Sequence, residues 1–216
     1  MPKIAKTNWK TVAGLLLLGA LAALPAGYLV SLVIIGAPHD FVKPAYLQSP
    51  LPIELHGVSG ILFWLLMPFQ FSPRIRQRWP NWHQISGRIA VLSAIVLGAS
   101  AIWLVAFFPH VGGVFRNANL AVSGAGTIAA FGYALWLVRT GKIAMHRVWM
   151  MRAVAITYGA ATTAIVGIPV FLIFGDFPVW LSEIDRWAGL MINLAFVEWV
   201  LRRKSSKVEM VSGVGL

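Results

Sequence analysis

The sequence predicts an all-α fold, a polytopic transmembrane helical bundle of six spans with both termini on the cytoplasmic side. Three observations predict it. Of the 216 residues, 58% are hydrophobic and 12% are charged, with a mean hydropathy of +0.75, whereas a soluble domain of this size needs a charged surface. The apolar residues gather in long continuous runs, where a membrane β-barrel would show short alternating segments. The basic residues are placed one-sidedly. All Lys and Arg except Lys43, Arg116 and Arg186 fall at the N-terminus, in alternate loops with their flanking helix ends, or near the C-terminus, which is the pattern of positive charge retained in the cytoplasm.

The spans follow in order. A basic leader with Lys3, Lys6 and Lys10 precedes the first, residues 11–35, which is too long for a signal-peptide core and reads as an uncleaved helix. Its interior Pro25 predicts a kink. The second, 51–71, opens with Pro52 in the favoured first turn. The loop 72–84 carries Arg74, Arg76 and Arg78, and the third span, 85–108, stops at Pro109. The fourth is 117–138. Basic residues fill 139–146, and the fifth runs 148–174. An acidic loop leads to the shorter sixth, 187–201, with Arg186 at its start. Residues 1–204 thus form one domain, and 205–216 read as a mobile cytoplasmic tail. Trp9, Trp79, Trp82, Trp149, Trp180 and Trp187 lie at the predicted boundaries, as aromatic belts do.

In lipid, helices associate through small residues that let backbones approach. Gly124, Ile128 and Gly132 form one stripe of the fourth span beside Ala121, Ala125 and Ala129. The fifth offers Gly159, Ala160, Ala161 and Ala164 with Thr157, Thr162 and Thr163. These two spans are expected at the centre, and the Leu-rich first span at the periphery. The pI near 10.8 does not point to nucleic acid, because the cations stand at helix ends and not on one wet face. No cysteine is present, which excludes disulfides, thiolate metal sites and cysteine-ligated iron–sulfur clusters.

Chemistry is confined to the helix ends. His83 precedes the third span and His146 the fifth, both on the cytoplasmic side, each with an arginine (Arg88, Arg152) five or six residues on. Two imidazoles entering at the same depth suit axial ligation of one haem b, with Arg88, Arg147 and Arg152 placed for its propionates. The ordinary alternative is snorkelling to anionic headgroups. On the opposite side, His39, Asp40, Glu54, His56 and His110 include metal-ligand types. His56 is the embedded member, beside Gly57 and Gly60, which leave room for a flat ligand. The metal-ligand candidates are therefore His56, His83, His146 and His110. Glu198 is expected to pair with Arg202 one turn on. Helix breaks of the transporter kind are hinted at only by Pro25 and Pro169.

His56-Gly57, His83-x-x-x-Gly87-Arg88 and His146-Arg147-x-Trp149-Met150-x-Arg152 together resemble a widespread bacterial family of multi-pass membrane proteins classed as a domain of unknown function, over about residues 50–200. Gln84 stands where that family's pattern often has an arginine. The resemblance implies a helical protein of the bacterial inner membrane and implies no activity. A looser architectural similarity links the histidines to transmembrane b-type cytochromes and ferric-reductase-like proteins. Three readings remain open at this point: a haem-b electron carrier serving quinone or another membrane acceptor, a non-catalytic subunit of a larger membrane complex, and a small-molecule or lipid-binding transporter.

Overall fold

A computed structural model describes residues 7–40, 42–108, 113–175 and 179–212. Among these the fold is all-helical: α1 (Trp9–Ile34), α2 (Pro44–Gln48), α3 (Leu51–Gln70), α4 (Pro73–Arg78), α5 (Pro80–Phe107), α6 (Val114–Arg139), α7 (Ile143–Thr157), α8 (Gly159–Phe174) and α9 (Val179–Ser212). Prolines open α2, α3, α4 and α5, where the missing N–H costs nothing. The Ser72 hydroxyl caps α4 by accepting from Ile75 N at 3.2 Å.

Four described helices, α1, α3, α5 and α6, are long and apolar enough to cross a membrane, and α7 with α8 makes a fifth if the bent pair is one span. The surface fits that solvent. Leu17 is 71% exposed and Leu92 63%, while Ser93, Ser100 and Thr127 are buried. Such an outward-facing apolar shell would be untenable in water.

Several expectations change. The expected fifth span is interrupted at Tyr158, where α7 and α8 meet at 48°. Neither Pro25, inside the continuous α1, nor Pro169, inside α8, marks that break. The expected loop 175–185 is helical from Val179, so Arg186 stands two turns into α9. That helix also continues through Ser212, across most of the expected tail.

The break has a topological consequence. α1 packs on α3, α3 on α5, α5 on α6, α6 on α7 and α9, and α9 on α8. The bend carries α8 back to α1, closing a ring of helices. The seams rest on small residues. A Cβ on Gly98 would lie 2.7 Å from the Gly124 carbonyl oxygen, and one on Gly124 equally near that of Gly98. A Cβ on Gly189 would meet the Gly159 carbonyl oxygen at 2.5 Å. Glycine is required at both crossings because any larger residue would part the backbones. Gly124 and Gly159 thus pack as expected, whereas Ala125 and Ala129 face outward, and α1 is the least buried of the four single spans.

Candidate functional site

At the centre of the ring lies a cavity of about 170 Å³, the size that accommodates a benzene-sized molecule. Most of its wall is small or apolar. Its polar members include His56 on α3, Asn119, Ser123 and Thr127 on α6, Thr157 on α7, Tyr158 at the α7–α8 break and Arg186 on α9. Helical rise places His56 and Asn119 about 7.5 Å, and Arg186 about 10.5 Å, from the first residue of its own helix, and all three line the one cavity.

The hydrogen bonds define what these groups offer. His56 Nδ1 lies 3.1 Å from Ser100 Oγ, and that hydroxyl already donates to the Leu97 carbonyl at 3.0 Å. Its one proton is used, so Nδ1–H is the donor and His56 Nε2 keeps a lone pair. Tyr158 Oη and Asn119 Nδ2 are buried without a partner. The Tyr158 ring is held by Phe63, with centroids 5.8 Å apart. Arg116 Nε and Asp185 Oδ1, from the charged neighbours of Arg186, are likewise unpaired. A buried polar atom left alone costs about 1–3 kcal/mol, so the two that line the cavity, Tyr158 Oη and Asn119 Nδ2, mark a place that a polar ligand or water would satisfy. Glu183 is otherwise engaged. Its carboxylate accepts from the amides of Gly113 (2.7 Å), Phe115 and Arg116 (both 3.0 Å), capping α6 from α9.

A family model described as "Predicted membrane protein (DUF2306)" matches residues 53–201. The chain belongs to this family. No curated protein and no solved structure matches the chain. The matched segment of the DUF2306 family contains every polar group of the cavity named above, and it begins after α1, which supplies Gly19, Ala22, Ala23 and Ala26 to the wall. It also contains His83 and His146. These matches lend nothing to the likeness with b-type cytochromes.

The inner residues are partly brought together. His83 stands in the first turn of α5 with its Nδ1 buried and unpaired. His146, in the first turn of α7, donates from Nδ1 to the Ala134 carbonyl at 2.8 Å. Charges on His146 and on Arg76 both act on His83. Arg147 acts on Arg76, whose guanidinium is held below its usual range by burial first and then by that like charge. Arg76 was thus missed as a member of the inner group. Arg88 is exposed. Arg152 is bidentate to Glu198, at 2.6 and 3.1 Å, so Glu198 has a distant partner beside the expected Arg202, whose charge also acts on it.

The outer metal set does not assemble. No group of three His, Cys, Asp or Glu that could hold a metal occurs among the described residues. His39 packs edge-on against Tyr28, and His110 lies outside the described residues. His56 is near the start of α3, while His83 and His146 begin α5 and α7 at the opposite end of the bundle, where α3 finishes. A haem is a poor fit for these residues. The cavity offers one imidazole, is smaller than the roughly 300–1,000 Å³ of pockets for larger ligands, and is lined by neither His83 nor His146. The Arg152 guanidinium meant for a propionate is taken by Glu198.

The cavity was the harder feature to foresee. The one signal in the sequence was the embedded His56 beside Gly57 and Gly60. Arg186, Asn119 and Tyr158 carried none, because the first read as a loop boundary and the other two as ordinary helix residues.

Proposed function

We propose that this protein is a six-span membrane transporter, with both termini cytoplasmic, that binds a small organic anion in the cavity at the centre of its helix ring. The observation that carries this reading is the set of unpartnered donors at the α7–α8 break. Tyr158 Oη and Asn119 Nδ2 face no acceptor, and Arg186 adds a cation to the same wall. Donors outnumber acceptors there, so a ligand with carboxylate or carbonyl oxygens complements the site better than a neutral apolar one. Irregular backbone at membrane depth is tolerated where it lines a cavity, and interrupted helices supply substrate sites in many transporters.

The test is thermal unfolding of the detergent-purified protein against a panel of short-chain carboxylates. At least one is expected to raise the melting temperature, and the shift is expected to vanish in Arg186→Gln and shrink in Tyr158→Phe. A flat panel, or a shift that persists unchanged in both variants, removes the proposal. The same preparation is expected to show no Soret band that moves on dithionite reduction. Such a band would restore the haem electron carrier in its place.

A further inference from the structure

On the cytoplasmic-charge side of the bundle, the short helix α4 lies across the start of α5. Two unlike surfaces meet there. One is cationic: Arg76 from α4 and Arg147 from α7 act on each other through their charges, beside the imidazole of His83 at the start of α5, whose Nδ1 is buried and unpaired. Among the described side chains no carboxylate contributes to either Arg76 or His83. The acids whose side chains are described are placed elsewhere. Glu198 holds Arg152, Glu183 caps α6, Asp185 lies beside Arg186, and Asp40 and Glu54 belong to the opposite end. Cations from two elements meeting with no described acid beside them need an external anion, the more so with Arg76 half-buried.

The second surface is apolar. Phe69, Ile75, Trp79 and Trp82 line a groove of about 450 Å³, with the Phe69 and Trp82 rings edge-to-face at 6.2 Å. The two surfaces adjoin in sequence as well as in space, because Ile75 precedes Arg76 and Trp82 precedes His83. The structure also explains why α4 stays in place. Ser72 caps it, and Thr7 Oγ1 meets Ser72 Oγ at 2.6 Å. An anion beside an aromatic groove at a membrane surface describes one occupant.

We propose that this junction binds a single anionic phospholipid, its phosphate held between Arg76 and Arg147 and one acyl chain lying along Phe69, Ile75, Trp79 and Trp82. The charged surface alone would accept inorganic phosphate, and the groove alone would accept any lipid. Their adjacency selects a lipid with net negative charge. This site is separate from the central cavity and stands or falls without it.

Native mass spectrometry of the full chain, released from detergent with equal amounts of phosphatidylglycerol and phosphatidylcholine, tests it. Phosphatidylglycerol is expected to be retained roughly thirtyfold over phosphatidylcholine, as two interfacial arginines imply. The preference is expected to collapse in Arg76→Gln/Arg147→Gln and to survive in Arg74→Gln/Arg78→Gln, which removes the same charge from exposed positions of the same helix. Equal retention of the two lipids by the wild type overturns the proposal, whether or not any variant folds. A preference that survives in Arg76→Gln/Arg147→Gln, or is lost equally in both double variants, assigns the effect to general surface charge and overturns it too. Displacement of the lipid by millimolar inorganic phosphate would make this a free-anion site and remove the lipid assignment.

Discussion

The Tyr158 ring is buried against Phe63 while its hydroxyl has no partner, so packing and polarity pull in opposite directions at one residue. Tyr158→Phe keeps the ring contact and removes the orphaned hydroxyl. The variant is expected to gain about 1 kcal/mol in stability, read as a higher melting temperature without ligand, while its response to any carboxylate that binds shrinks. A purely structural tyrosine would show a loss of stability instead. The Arg152–Glu198 pair has the reverse character. It is bidentate and Arg152 also lies over the Trp149 ring at 5.1 Å, but both side chains are about a third exposed. That exposure limits its worth to about 1 kcal/mol. Arg152→Gln and Glu198→Gln are each expected to lower the melting temperature by a few degrees, and the double variant to lose little more. Additive losses in that cycle would show that the two groups do not act on each other.

At the level of helices, the α5–α6 crossing is the most demanding contact, because Gly98 and Gly124 face each other backbone to backbone. Gly98→Leu is expected to cost about 1–3 kcal/mol through forced separation of the pair, read in the melting temperature. Gly132→Leu, on the same α6 with nothing within 4 Å of its Cβ, is the control and is expected to change nothing. Comparable losses in the two would mean that close approach at the crossing is not what requires glycine, since helix propensity alone favours leucine. The sequence disclosed Gly124 and Gly159 as packing residues because lipid-exposed helices have few other ways to associate. It disclosed α1, α3, α5 and α6 because a run of apolar side chains is a local property. It hid the α7–α8 break, since Tyr158 and Gly159 sit inside a run as apolar as any other, and the bend depends on contacts of α8 with α1 and α9. It hid the hydrogen-bonded partner of Glu198 for the same reason. Arg202 is one turn away, whereas Arg152 is 46 residues distant. The acids Glu183 and Asp185 resembled a loop until the fold turned Glu183 into a cap on α6.

For the whole molecule the open quantity is the number of crossings. α9 is too charged to qualify among the candidate spans, yet its neighbours argue that it runs the length of the bundle. Glu183 reaches the first amides of α6, and Glu198, about 22 Å further along the helix, meets Arg152 in the half of the bent α7–α8 pair that starts from the basic loop. A helix anchored at those two places is expected to cross with its neighbours, as the proposed six-span reading requires. The charge on α9 then has a use: Arg186 lines the cavity and Glu198 is paired, so neither faces lipid hydrocarbon. The absence of cysteine makes this directly measurable with single substitutions. Ser49→Cys follows α2, Thr140→Cys follows α6, and Arg203→Cys lies far along α9; all three positions are exposed. In intact cells a membrane-impermeant maleimide is expected to label Ser49→Cys alone, and to reach the other two only after permeabilisation. Labelling of Arg203→Cys together with Ser49→Cys would mean that α9 does not cross, leaving five spans. The cavity wall formed by Arg186 would then need another explanation, because a helix lying on the surface could not carry that side chain to the level of His56 and Asn119.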